Sequence, residues 1–227
     1  MTPWRVVIVS DSLAGIVESN LVTDLNPPCR VKDTSWIKPG RVSWSWWSDH
    51  ASPRNYETQR EFVDLAAEMG WEYSLVDANW NLMDGGNVRE LAQYAKEKGV
   101  GLLLWYNSGG TNNSVTEKPR RCLDDPAIRQ FEFKMLQDWG IKGIKVDFFH
   151  SDKQDMMQRY LGMLEDAAQF KLLVNFHGCT LPRGWSRTYP HLMSMEAVRG
   201  AECYTFAKEF PKEAPHHNTI LVFTRNV

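Results

Sequence analysis

Cysteine pairs, excess charge and long apolar runs are all missing from this chain. Cys29, Cys122, Cys179 and Cys203 stand far apart with no C-x-x-C spacing, which argues against a structural zinc site or a dithiol redox motif and leaves disulfide status and compartment open. The formal net charge is −2, too small for a bias toward nucleic acid or anionic membranes. No window is long and apolar enough to span a bilayer, and Met1 to Ser10 lacks the basic and apolar regions of a signal peptide. No G-x-G-x-x-G follows a strand, so dinucleotide binding is disfavoured.

What is present is enough apolar sequence, 43% of 227 residues, to bury one sizeable core, together with ten tryptophans. Tryptophans in such number serve either as large core residues or as flat platforms for sugars.

Residues 1–40 read as a lead-in, the end of a preceding β-domain and its linker. Trp4 to Val9 is a plausible strand, and Asn26-Pro27-Pro28 and Lys38-Pro39-Gly40 are turn clusters. Residues 41–227 follow one grammar. Arg41 to Trp47 reads as a strand. Phe62, Leu65, Ala66 and Met69 then form a helical stripe stopped by Gly70, and Tyr73 to Val76 forms a strand closing on Asp77. Val88, Leu91, Ala92 and Ala95 repeat the stripe, Gly99 stops it, and Gly101 to Trp105 is the next strand. Asp125 caps a third helix with Pro126 behind it and Ile128, Phe131 and Met135 on one face; Gly140 ends it before the strand Gly143 to Asp147. A fourth helix carries Met157, Tyr160, Leu161, Leu164 and Ala168, followed by strand Leu172 to Asn175. Leu192 to Glu196 and Thr219 to Phe223 are later strand candidates, giving about seven strands after residue 40.

Short apolar strands alternating with helices predict a parallel sheet covered on both faces. A (β/α)8 TIM barrel fits better than a doubly wound sheet, incomplete in this chain and truncated before its last strand and helix. In that fold the active site collects at the C-terminal strand ends. Seven residues beyond each stop glycine stand Asp77, Tyr106 and Asp147, so equivalent positions converge on one rim. Asp49 and His50, Asn79, Trp105 and Asn107, Lys145, Asn175 and His177, Glu196, Arg199 and Glu202 join them.

Lys145 precedes Asp147 by two residues and so shares its face of the strand, where an ammonium favours an ionised, nucleophilic carboxylate. The bland reading is a buried ion pair at the barrel mouth. Glu196 and Glu202 are either an acid/base with a partner or oxygen ligands for a hard cation, unless they are merely solvated loop residues. His177 reads as a contact to substrate hydroxyls or as a satisfied core histidine. Trp46, Trp47, Trp80 and Trp105 are singly core residues and jointly a sugar platform.

The runs Trp44-Ser45-Trp46-Trp47-Ser48-Asp49-His50, Val76-Asp77-Ala78-Asn79-Trp80, Gly143-Ile144-Lys145-Val146-Asp147-Phe148, Val174-Asn175-Phe176-His177-Gly178 and Glu196-Ala197-Val198-Arg199-Gly200-Ala201-Glu202 resemble glycoside hydrolase family 97. The resemblance implies a polypeptide with an N-terminal β-sandwich, a catalytic barrel and a C-terminal β domain, dependent on calcium and periplasmic or secreted in bacteria. Retaining members carry an aspartate nucleophile at the end of strand four and a glycine after Asn-Phe-His, whereas inverting members place a glutamate base near that glycine. Asp147 with Gly178 therefore implies a retaining, exo-acting enzyme for terminal α-galactosides. By the same match Asp147 is the nucleophile, Glu202 the acid/base, and Glu196 with Glu202 the calcium site. Trp47, Asp77, Trp105, Lys145, Asn175, His177 and Arg199 are the expected substrate contacts.

The expected partner is an oligosaccharide or other glycoside. Open alternatives are a β-L-arabinopyranosidase or α-glucosidase of the same family, a non-catalytic carbohydrate-binding barrel, and another metal-assisted barrel hydrolase or lyase.

Overall fold

A computed structural model of the chain describes residues 5–224. Six parallel strands form one curled sheet in the order of the sequence: β1 (Val42–Trp44), β2 (Tyr73–Val76), β3 (Gly101–Asn107), β4 (Gly143–Asp147), β5 (Leu173–Phe176) and β6 (Leu192–Met195). Sequential parallel order, with helices packed outside, is the pattern of an incomplete (β/α)8 barrel. Three crossover helices begin at side-chain caps. Asn55 Oδ1 accepts from Thr58 N at 3.0 Å to start α3 (Tyr56–Glu68), Asn87 caps α4 (Val88–Glu97), and Asp125 caps α5 (Pro126–Asp138). Gly70, Gly99 and Gly140 end these helices in the left-handed region, at φ 63°, 76° and 79°, where an L side chain is disfavoured. The next strand starts two or three residues later in each case, which is why the strand ends share a phase.

The helix faces depart from the apolar stripes. On α3 the buried residues are Gln59, Val63 and Ala66, while Leu65 and Met69 are exposed. Gln59 turns inward because its amide donates to Ser45 Oγ at 2.9 Å and Ser52 O at 2.8 Å. On α5 the core takes Arg129, Phe133 and Leu136, and leaves Ile128 and Phe131 outside. Burial of Arg129 is possible because Nε donates to Asp166 Oδ2 at 2.6 Å, from α6 (Gln154–Gln169), and Nη1 to Leu123 O at 3.0 Å. Along α6 itself Met156, Tyr160, Met163, Leu164 and Ala167 are buried, so Tyr160 and Leu164 hold as expected, while Met157 packs beside the core, Ala168 is half-buried and Leu161 is exposed.

Three expected strands fail in whole or part. Arg5–Ser10 forms none, with Val7 and Val9 exposed and no neighbouring strand to pair with; Trp4 lies outside the described residues. Strand β1 ends at Trp44, and Ser45–Trp47 is a 3₁₀ turn pinned through the Ser45 hydroxyl. Thr219 to Phe223 belongs to helix α8 (Phe210–Thr224), after the short α7 (Cys203–Phe206); Thr219 Oγ1 donates back to Pro215 O at 2.7 Å, a helical rather than an extended contact. Six strands therefore replace the expected seven among the described residues.

The lead-in carries two short helices, α1 (Leu13–Val17) and α2 (Leu21–Asp24), and docks on the turn before β6. Thr188 Oγ1 donates to Pro27 O at 2.6 Å, Asn26 Nδ2 to Arg183 O at 2.8 Å, and Arg187 pairs with Asp24 at 2.7 Å. No helix among the described residues is long and apolar enough to cross a membrane.

Candidate active site

Register decides which strand-end side chains meet. Trp105 pairs with Lys145, Lys145 with Asn175, and Asn107 with Asp147; Val76 pairs with Leu104, which puts Asp77 one step on, level with Trp105. Because side chains alternate along a strand, Trp105, Lys145 and Asp147 share the concave face and Tyr106 does not. Tyr106 is fully buried on the helix side, donating to Glu132 Oε2 at 3.0 Å, so the expected aromatic hydroxyl is absent from the rim and Trp105 takes its place.

Lys145 is the hub of a buried charge cluster. Its Nζ lies 2.8 Å from Asp77 Oδ2, 3.7 Å from Asp147 Oδ2, and 4.4 Å over the Trp44 ring. Burial disfavours its charge, but Asp77 and Asp147 outweigh burial and raise its pKa. Asp77 Oδ2 also accepts from Trp44 Nε1 at 2.7 Å and Oδ1 from Ala78 N at 2.7 Å, so both oxygens are used structurally. Asp147 Oδ1 accepts from Phe148 N at 2.8 Å and Oδ2 from Trp105 Nε1 at 3.2 Å. Burial pushes the Asp147 carboxyl above its ordinary value, a rise limited by Lys145, Trp105 and the Phe148 N–H, each of which favours the anion.

Facing Asp147 across the same cavity are Glu196 and Glu202, with Trp46, Phe148, Gly178 and Phe206 in the lining. Glu196 Oε2 accepts from Gly178 N at 2.8 Å. Burial, reinforced by the charges of Asp147 and Glu202, raises the Glu196 carboxyl to about 7. Glu202 is raised as well, by burial first, with Lys145 acting against it. His177 Nδ1 stands 3.6 Å from Glu196 Oε1, and burial followed by the Lys145 charge holds its pKa well below the usual histidine range, so the ring is neutral. One ligand atom from each of His177, Glu196 and Glu202 can lie within 4.8 Å of the others, a group able to hold a cation.

Other expected contacts fall elsewhere. Trp47 is half exposed outside the lining; Trp46 lines the cavity instead, stacked on His50 at 4.5 Å between ring centres. Asn175 stands level with Lys145 but outside the cavity lining, its Oδ1 accepting from Ser194 Oγ at 2.7 Å. Arg199 faces away, 2.5 Å from Glu213 and 4.7 Å from the Phe210 ring centre. Trp44 and Glu117 reach the site without having been singled out. Trp44 had a signal, since it is the C-terminal residue of β1; Glu117 had none, being one carboxylate in an irregular loop.

Residues 36–198 match the family model for glycoside hydrolase 97, and residues 1–28 match the glycosyl-hydrolase 97 N-terminal model. A probable retaining alpha-galactosidase of Streptomyces bingchenggensis is 38% identical over 239 aligned positions, covering all of this chain and 34% of that protein. The retaining alpha-galactosidase of Bacteroides thetaiotaomicron is 31% identical over 216, covering 88% of this chain and 30% of its own length. Among solved structures, a beta-arabinopyranosidase superposes with a TM-score of 0.85 at 40% identity, over 94% of this chain and 34% of that one. A family 97 enzyme from Pseudoalteromonas sp. strain K8, in complex with acarbose, superposes at 0.77 over 94% of this chain and 37% of that one; at 22% identity the likeness speaks for the fold alone. The chain thus spans about a third of the relatives it matches. A match that runs from residue 36 to residue 198, through every strand of the sheet, makes this chain a member of glycoside hydrolase family 97.

Proposed function

We propose that this chain carries the active site of a retaining, exo-acting glycoside hydrolase for terminal α-galactosides, with Asp147 as nucleophile and Glu202 as acid/base. The observation that carries the reading is the contact between Gly178 and Asp147. A β-carbon at position 178 would lie 2.9 Å from Asp147 Oδ1 and 2.9 Å from Phe148 N, on a backbone already at φ 48°. Space there is taken by the aspartate, so a larger residue at 178 and the observed Asp147 position are mutually exclusive. The Asp147 and Gly178 combination is the retaining pattern that the sequence resemblance implied.

In the first step Asp147 attacks the anomeric carbon while Glu202 protonates the departing glycosidic oxygen. In the second, Glu202 takes a proton from water, whose oxygen displaces Asp147 from the sugar. Burial of Glu202 suits it to hold the proton that the leaving group needs. Asp77, Lys145 and Trp105 line the cavity and are placed to bind the sugar or orient Asp147; Trp47, Asn175, His177 and Arg199 lie outside that lining.

Proton NMR of the first product tests the mechanism. The α-anomer is expected to appear before mutarotation, and initial release of the β-anomer overturns it. β-L-arabinopyranoside hydrolysis is the second reading, favoured by the 40% identity to the beta-arabinopyranosidase; that sugar has the ring configuration of α-D-galactoside without the hydroxymethyl group. Comparing kcat/KM on the two aryl glycosides separates them.

Calcium is part of the proposal. Glu196 and Glu202 offer hard oxygen donors close together, and their crowding is the kind that a divalent cation relieves; the His177 nitrogen is a poorer calcium donor. A bound cation would keep Glu196 ionised and add positive charge beside the reacting centre. Treating the complete polypeptide with EDTA is expected to lower both activity and Tm, with calcium restoring both; an unchanged Tm and rate would remove calcium from the account.

Residues 1–40 as the end of a β-sandwich and linker, residues 41–227 as the barrel, further β domains on the same polypeptide, and a periplasmic or secreted bacterial location complete the proposal. The match of residues 1–28 to the N-terminal family model supports the first.

A further inference from the structure

Phe148 follows the Asp147 carboxylate with a left-handed backbone, φ 67°. An aromatic residue holds that conformation only where its surroundings impose it. Its N–H donates to Asp147 Oδ1 at 2.8 Å, and the twist at its Cα redirects the chain beyond the carboxylate.

Two side chains from the loop after β3 converge on the carbonyl of the same residue, beyond the twist. Asn113 Nδ2 donates to Phe148 O at 2.7 Å, and Ser108 Oγ donates to the same oxygen at 3.0 Å. Both residues are buried, at 3% and 0% exposure, and neither lines the cavity. The Asn113 amide is itself fixed: Nδ2 also donates to Asn107 Oδ1 at 2.7 Å, while its Oδ1 accepts from Val115 N at 2.9 Å. Ser108 N donates to Asp147 O at 2.8 Å, and Phe149 N to Gly178 O at 3.1 Å, so the turn is gripped on both sides. The carbonyl one residue beyond the carboxylate thus takes both of its donors from side chains of a single buried loop.

We propose that Asn113 and Ser108 are positioning residues for the reaction, holding the Phe148 carbonyl so that its left-handed backbone aims the Asp147 carboxylate at the anomeric carbon. The inference rests on the reading of Asp147 as nucleophile and goes beyond it. Neither residue touches the sugar; both act through the Phe148 backbone.

The experiment uses the complete polypeptide with the aryl glycoside it turns over. Ser108→Ala and Asn113→Ala are each made alone and on top of Asp147→Ala, and the last pair of variants is assayed with azide. Misaiming a reacting group costs on the order of 100-fold in rate. Asn113→Ala is expected to lower kcat about 100-fold and Ser108→Ala about 10-fold, with KM within about threefold of the parent, the signature of lost transition-state alignment. In the Asp147→Ala background the azide-dependent rate should change by less than about twofold, because the carboxylate being aimed is gone.

Wild-type kcat in both single variants overturns the inference. So does an equal loss in the azide reaction, which would mean that the residues act on the pocket rather than on Asp147. If Asn113→Ala fails to fold, Ser108→Ala carries the same comparison with the loss of one oxygen. An Asp147→Ala protein that remains fully active, or is not rescued by azide, defeats the nucleophile reading and this inference together. An inactive, rescuable Asp147→Ala beside unaffected Ser108 and Asn113 variants defeats this inference alone.

Discussion

Asp147→Ala is expected to lower kcat on an aryl α-galactoside by roughly 10⁴-fold or more, the scale on which loss of a covalent nucleophile is felt. Azide is expected to restore a part of that rate. The truncation opens space beside Trp105 and Phe148, into which a small anion fits, while the Lys145 ammonium, 3.7 Å from the missing carboxylate oxygen, remains to attract it. Azide attacking the anomeric carbon there gives a glycosyl azide of opposite configuration to the substrate, with Glu202 still delivering the proton to the leaving oxygen. Isolating β-galactosyl azide would identify Asp147 as the nucleophile. Full activity in the variant, or a rate indifferent to azide, sinks the assignment.

Lys145→Met is the variant with the largest expected effect on stability, about 3 to 5 kcal/mol at neutral pH, because two buried carboxylates lose the ammonium they share. Methionine keeps the bulk and removes the charge, so the loss is electrostatic. Its pH dependence has a definite sign. Without the ammonium the Asp147 carboxyl, already raised by burial, is harder still to ionise folded than unfolded. A raised carboxyl pKa lets the folded protein hold protons that the unfolded chain has released, so stability falls as pH rises. The deficit against wild type should therefore be larger at pH 8 than at pH 5 in urea denaturation of the complete polypeptide. An equal deficit at both would mean that Lys145 contributes packing, and no deficit would mean that the pair is dispensable. Activity is expected to fall too, since a carboxyl that keeps its proton is a poor nucleophile.

Much of the frame was legible because its causes are local. Asn55, Asn87 and Asp125 cap their helices with their own side chains, and Gly70, Gly99 and Gly140 stop them through a φ that other residues avoid. Those signals depend on a few neighbouring residues, so the spacing from stop glycine to strand end could be counted, and Asp77, Lys145 and Asp147 could be set on one rim. The family resemblance rested on the same runs, and the match over residues 36–198 bears it out.

Tertiary structure decided what depends on partners distant in sequence. Arg129 is inside and Phe131 outside because Asp166, 37 residues on, supplies a carboxylate, which no apolar stripe reveals. Trp105 faces the cavity and Tyr106 the helices because pairing with β4 sets the phase of alternation. Thr219 to Phe223 reads as a strand by its β-branched residues, yet continues a helix whose early turns are anchored by Phe210 and Ala214. Arg199 leaves the site for Glu213, and Asn113 reaches Phe148 from 35 residues away. The sequence by itself determined the barrel grammar and carried the family resemblance, since both rest on short runs of neighbouring residues. Which side chains touch the carboxylates of the site was settled by register and packing, forces that act between segments the chain brings together only on folding.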